Sequence, residues 1–137
     1  MNDERPSMIV LDKATALAAL DAFVATWDAG GRERSKVAIE AEYRAELLSE
    51  APRKRGFLFW RRETTEAERL AWMEETWAEP AHGNIYWHRF YAKNKLAGRN
   101  ARVDEIRALA SAIRATPDGT VVHINANNWR YVNINKF

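Results

Sequence analysis

Eighteen residues, Gly83 to Asn100 (GNIYWHRFYAKNKLAGRN), interleave four aromatics with two Arg, two Lys and one His, and the structure they adopt decides the fold of the chain. Their end signals predict a helix from about Ile85 to Ala97, with Asn84 as N-cap and Gly98 just past the last turn. The competing strand, Ile85 to Tyr91, has the aromatic and β-branched content of a sheet but leaves Ala92 to Leu96 unexplained. In the helix, Trp87, Phe90, Tyr91 and Asn94 share one side, and His88, Arg89, Lys93 and Lys95 spread over the rest. Two interpretations follow: an amphipathic core helix with a solvated basic face, or a basic face edged with aromatics that grips nucleic acid.

Charge is distributed more unevenly than the net +2 of the 137 residues suggests. Residues 1–52 hold six Lys/Arg against ten Asp/Glu, while 53–62 hold five basic residues and no acidic one. Residues 63–82 reverse the balance at one against six, and 83–137 return to nine against three. Two basic blocks of this kind point to a polyanionic partner or to simple solubility. With 47% apolar and 29% charged residues the chain reads as one globular domain, a helical hairpin over 1–52 followed by helices and a β-hairpin over 53–137. The absence of Cys excludes disulfides, thiolate catalysis and cysteine-based zinc sites. The opening MNDERPSMIVLDK is too short in apolar run for a signal peptide or membrane span, so the expected location is cytoplasmic, with no membrane partner.

In chain order, Met8 to Leu11 reads as a strand or extended lead-in. Asp12 caps a helix from Lys13 to about Asp28, with Leu17, Leu20, Val24 and Trp27 on one stripe. Gly30 and Gly31 stop it. A second helix from about Ser35 to Glu50 presents Val37, Ala41, Ala45 and Leu48, widened by Ile39, Tyr43 and Leu47, and pairs antiparallel with the first. The alanines of the pair would also admit a second copy of the chain, a homodimer. Phe57, Leu58, Phe59 and Trp60 form an apolar run expected to be buried, with Arg53, Lys54, Arg55, Arg61 and Arg62 emerging at its ends.

Thr65 and Glu68 form a capping box ahead of a helix whose core stripe is Leu70, Met73 and Trp77, closed by Pro80 and Gly83. A further helix from about Arg102 to Ala115 has Val103, Ile106, Ala110 and Ile113 on one stripe, and Pro117, Asp118 and Gly119 make a turn. The tail TVVHINANNWRYVNINKF predicts an antiparallel β-hairpin. A two-residue loop at Asn127 and Asn128 mixes its faces. A three-residue loop, Ala126 to Asn128, puts Val122, Val132 and Ile134 on a core face and His123, Asn125, Trp129, Tyr131 and Asn133 on the other. The predicted class is therefore α+β, mostly helical, with about five helices, and from residue 65 onward its order suits a winged-helix-like domain. Against that analogy stand the loose Gly98 to Val103 linker and an alanine-rich would-be recognition helix.

No chemistry is signalled. His82, His88 and His123 fall in no metal spacing, and Pro80 breaks the helix between the i, i+4 pair Glu75 and Glu79 and the His82 that would extend their line. No nucleophile elbow, phosphate loop or dinucleotide fingerprint is present, so no catalytic residue, metal or cofactor is expected. Three function classes remain. A nucleic-acid-associated regulatory protein would use the basic blocks together with Tyr86, Arg89, Tyr91, Lys93 and Lys95, with Arg107 and Arg114 on phosphates. A protein-interaction module, such as a small inhibitor, immunity or adaptor protein, would use its Trp, Tyr and Arg residues, among them Trp72, Trp129, Arg130 and Tyr131 with His123 beside them. A small enzyme built on His88 or His123 is the weakest of the three.

Overall fold

A computed structural model describes residues 7–56, 60–80 and 83–137. Their order is β1 (Met8–Asp12), α1 (Lys13–Thr26), a wide π-type turn (Trp27–Gly31), α2 (Arg32–Ser49), β2 (Lys54–Arg55), β3 (Arg62–Glu63), α3 (Glu66–Ala78), α4 (His88–Arg114), β4 (Val121–Asn125) and α5 (Ala126–Ile134). The fold is mostly helical, and its strands form two antiparallel pairs, β1 with β4 and β2 with β3. Two compact units result, one made of the residues up to Ser35 with Gly98–Phe137, the other of Lys36–Ala97. No described helix is long and apolar enough to cross a membrane.

In the first unit β1 and β4 pair so that Ile9 faces Ile124 and Leu11 faces Val122. Alternation does the rest: Val122 and Ile124 are buried, while Met8, Val10 and Val121 are exposed on the outer face. Asp12 ends β1 and caps α1, accepting the Thr15 backbone N–H at 3.0 Å. The buried stripe of α1 is Ala16, Leu20, Phe23 and Trp27, at i, i+4, i+7 and i+11. It is rotated slightly from the predicted Leu17, Leu20, Val24 and Trp27. At the turn Gly30 takes φ +121°, a left-handed conformation that L side chains rarely adopt. Gly31 serves another purpose: a Cβ there would collide with Cβ of Phe137, whose ring packs against Phe23 and Trp27 at 5.3 and 4.7 Å. Lys13 donates to the carbonyls of Arg114 and Thr116, placing positive charge at the negative end of α4.

In the second unit Ile39, Leu47, Met73, Trp77 and Ala92 form the buried core, with Tyr43, Leu48, Trp72, Tyr86 and Leu96 packed around it. Thr65 and Glu68 make the predicted capping box, with the Glu68 backbone N–H donating to Thr65 Oγ1 at 3.1 Å. The β2–β3 ladder is two residues long, and Thr64 extends it by donating its N–H to the Arg53 carbonyl at 2.9 Å.

Several expectations are corrected. The helices predicted over 85–97 and 102–115 are one 27-residue helix, α4, about 40 Å long. Gly98 lies inside it, because the stripe Ala92, Leu96, Val103, Ile106, Ala110 and Ile113 keeps a single helical repeat across the glycine. The C-terminal hairpin is absent, since β4 pairs with β1 and the tail from Ala126 is helical. Asn125 is the reason on the sequence side: its side chain accepts the Asn127 N–H at 2.8 Å, opening a helix where a loop was expected. Val132 is still buried, but Ile134 is 66% exposed. With helix, helix, strand, helix after Thr65, the winged-helix order is not met. In α2 the core face is Ile39, Tyr43 and Leu47, and Val37 is exposed. In α3 Leu70 is exposed and Thr76 takes a buried place beside Met73 and Trp77.

Candidate binding surface

The two basic blocks of the second unit border different cavities. Lys54 and Arg55 line one of about 520 Å³ beside Arg69, Trp72 and Glu75. Arg89 and Lys93 line another of about 340 Å³ between the ends of α2 and α3 and the start of α4.

Much of the predicted cationic surface is engaged within the chain. Arg55 and Arg62 sit opposite each other across the β2–β3 ladder, and both reach Glu68. Arg62 is bidentate, with Nη1 to Oε1 at 2.6 Å and Nη2 to Oε2 at 3.1 Å. That guanidinium, followed by the Thr65 backbone N–H, lowers the Glu68 carboxyl to about 2. Arg89 donates to the Trp77 and Ala78 carbonyls at 3.3 and 3.2 Å, closing the C-terminus of α3. Lys95 pairs with Glu42 at 3.2 Å and lies over the Tyr43 ring. Tyr86, named above for a nucleic-acid surface, is packed edge-on against Trp72 at 5.2 Å and is only partly exposed.

Of the Lys and Arg residues among the sixteen candidates, Arg53, Lys54, Arg61, Lys93 and Arg130 are exposed with no ion-pair partner among the described residues. Phe57, Leu58 and Phe59 lie outside the described residues, as does His82. The burial expected of Trp60 is not found: it is 78% exposed.

In the first unit Arg107 clamps Asp28 with two bonds of 2.9 Å, and Arg114 reaches Asp21 at 2.6 Å. The Arg107 guanidinium holds the Asp28 carboxyl below the usual carboxylate range. His123 faces outward from β4 opposite Val10. Trp129, Arg130 and Tyr131 belong to α5 and not to a strand face. Tyr131 meets Phe23 edge-on at 5.6 Å under the Arg102 guanidinium, and burial pushes its phenol up. Arg130 is exposed. Among the described residues no three His, Asp or Glu side chains cluster as metal ligands would.

At the start of α4 sequence reasoning named Tyr91 as a binding residue but missed Trp87 and Phe90 beside it. Trp87, Phe90 and Tyr91 are 40, 45 and 53% exposed, and Ile85 just before them is 82% exposed. Their rings touch in series, Trp87 to Phe90 at 5.5 Å and Phe90 to Tyr91 at 6.0 Å, both edge-on. The ridge borders the smaller cavity, whose lining includes Leu47, Trp77, Trp87 and Phe90. Its position was readable from the core stripe of α4: carried back from Val103 to Leu96 and Ala92, the stripe leaves the aromatics on the outside. Comparison of the chain with known protein families, curated proteins and solved structures finds no match.

Proposed function

We propose that the chain is a protein-interaction module whose aromatic ridge, Trp87, Phe90 and Tyr91, docks an acidic segment of a partner protein that carries apolar anchors. The carrying observation is the contiguous exposure of three aromatics packed in series at the start of a long helix. Solvent-exposed apolar patches of this kind mark interaction sites, and Trp and Tyr supply most of the energy where proteins meet. Charge supplies the acidic preference: Arg89 and Lys93 flank the ridge, and no Asp or Glu occurs from residue 80 to 103. The second unit as a whole is nearly neutral, with eleven Lys/Arg against ten Asp/Glu over 36–97, which suits a protein partner better than a nucleic-acid backbone.

The nucleic-acid reading retains one specific support, the exposed Trp60 beside Arg61, with Arg53 and Lys54 also free of ion pairs among the described residues. A peptide-display selection run in parallel with fluorescence anisotropy on single- and double-stranded DNA and RNA separates the two. The ridge reading expects enrichment of acidic peptides with aromatic or leucine anchors, abolished by Phe90→Ser with Tyr91→Ser. Salt-sensitive binding of nucleic acid that survives those substitutions and is lost on Arg53→Ala with Arg61→Ala would transfer the function to the β2–β3 strands. Concentration-dependent mass in sedimentation, lost on Phe90→Ser, would make the occupant a second copy of the chain.

A further inference from the structure

The β1–β4 pair of the first unit is unfinished along one edge. Its phase is fixed at both ends: the Ala126 N–H donates to the Ser7 carbonyl at 2.8 Å, and the Lys13 N–H to the Thr120 carbonyl at 3.2 Å. Backbone groups alternate sides along a strand, so Ser7, Ile9, Leu11 and Lys13 bond toward β4 while Met8, Val10 and Asp12 turn theirs away from it. Among the described residues β1 pairs with no strand but β4, and no backbone bond takes up the outward groups of Met8 and Val10.

The side-chain layer is incomplete at the same place. Ile9 and Leu11 share the inner face with Ile124 and Val122, yet the β4 residues are 1 and 7% exposed while both β1 residues stay partly exposed. On the outer face Met8 and Val10 are 53 and 56% exposed. Strands that remain unpaired guard an open edge with Lys, Pro, a bulge or an inward-pointing charge. Met8–Asp12, MIVLD, has none of these, and its one charge, Asp12, is engaged with Thr15 as the cap of α1.

We infer that a second copy of the chain adds its own β1 to this edge, antiparallel and centred on Val10, so that two first units share a four-stranded sheet in the order β4, β1, β1, β4. Self-complementarity selects this occupant. A twofold axis at Val10 sets Ile9 opposite the partner's Leu11 on the inner face, extending the core, and sets the two Val10 side chains together on the outer face. Each Val10 N–H then meets the other's carbonyl, and each Asp12 N–H meets the carbonyl of the opposite Met8. The Asp12 carbonyl is not needed, because an N-cap carbonyl serves its helix. No like charges are opposed. The outer edge of β4 fits less well: its Val122 and Ile124 are already covered, and a twofold there would set the two His123 rings against each other.

A five-residue ladder is small beside a standard interface, so the dissociation constant is expected at about 10–100 μM, within reach of sedimentation equilibrium on the full chain up to about 500 μM. Val10→Pro removes a donor that points away from β4, so the far-ultraviolet circular dichroism spectrum is expected to be unchanged while the dimer weakens about tenfold or more. Val10→Lys and Val10→Glu, both at an exposed position, each oppose like charges at the twofold and are expected to weaken self-association by a similar factor. An equimolar mixture of those two variants is expected to dimerise again, which a merely destabilised monomer would not do. No dimer at the highest concentration, a dimer indifferent to the Val10 substitutions, or no recovery in the mixture overturns the inference. A dimer lost on Phe90→Ser but untouched at Val10 belongs to the ridge and overturns it as well. Failure at Val10 leaves the ridge proposal standing, since its test uses peptides and substitutions at Phe90 and Tyr91.

Discussion

Replacing Gly98 by Ala is expected to stabilise the protein, and the sign of the effect reports whether α4 is one helix. Gly98 lies within α4 without a positive φ, and a Cβ added there would meet no atom within 4 Å. Alanine is about 0.8–1.0 kcal/mol more favourable than glycine in a helix interior, and open space adds no offsetting strain. At an unfolding entropy of about 2.1 cal/mol/K per residue, a chain of this length converts 1 kcal/mol into an upward shift of about 3–4 °C in Tm. Gly119 provides the control. It also has open space around it, but its φ is +82°, so the same substitution there is expected to lower Tm by a similar amount. Thermal unfolding followed by far-ultraviolet circular dichroism measures both. Destabilisation by Gly98→Ala of the size seen at Gly119 would mean that Gly98 is a left-handed helix stop, and the continuous α4 would be refuted.

Other perturbations probe the core, the ridge and the Glu68 cluster. Phe90, left 45% exposed, contributes about half the 1.5–3 kcal/mol of a fully buried side chain, so Phe90→Ala is expected to cost about 1 kcal/mol in urea unfolding. Leu47→Ala, at a site 1% exposed, is expected to cost about 2–5 kcal/mol, and equal costs for the two would place the ridge in the core. Thr65→Ala removes the cap that accepts the Glu68 N–H and should cost about 0.5–2 kcal/mol, read as a lowered urea midpoint with an unchanged slope. The depressed Glu68 carboxyl stabilises the fold fully above its ordinary 4.5, and that contribution is lost as pH falls from there through about 2. Arg62→Gln is expected to raise the Glu68 midpoint in a carboxyl-carbon NMR titration, and an unmoved midpoint would show that Arg62 is not the cause.

Local signals carried much of the fold because they act within a few residues. Asp12 and Thr65 cap where their side chains predict, and the glycines after Trp27 turn the chain where expected, since capping and positive φ depend on immediate neighbours. Long-range pairing was the part that did not show. Val122 and Ile124 read clearly as one face of a strand, but the pattern says nothing about which strand lies beside them. β1, more than a hundred residues earlier, competes with the nearer tail. Once Met8–Asp12 fills that place, Ala126–Ile134 has no strand to join, and Asn125 directs it into a helix.

The candidate site was half legible for a related reason. Basic residues interleaved with aromatics mark a surface by composition, but composition does not tell a free cation from one already paired. Arg62 and Arg107 looked equivalent to Lys93 until Glu68 and Asp28 were brought to the first two by folding. The aromatic face of α4 was misjudged through its length. A helix ending at Ala97 is short enough that its largest residues define the apolar side, and Trp87, Phe90 and Tyr91 then look like core. A helix running to Arg114 is governed by its more numerous buried positions, and Ala92 and Leu96 continue the stripe of Val103 and Ile106. The aromatics are left over by that assignment. A hydrophobic surface surplus to the core, on the helix that supplies the core, needs a reason to be there, and the protein docking proposed above supplies one.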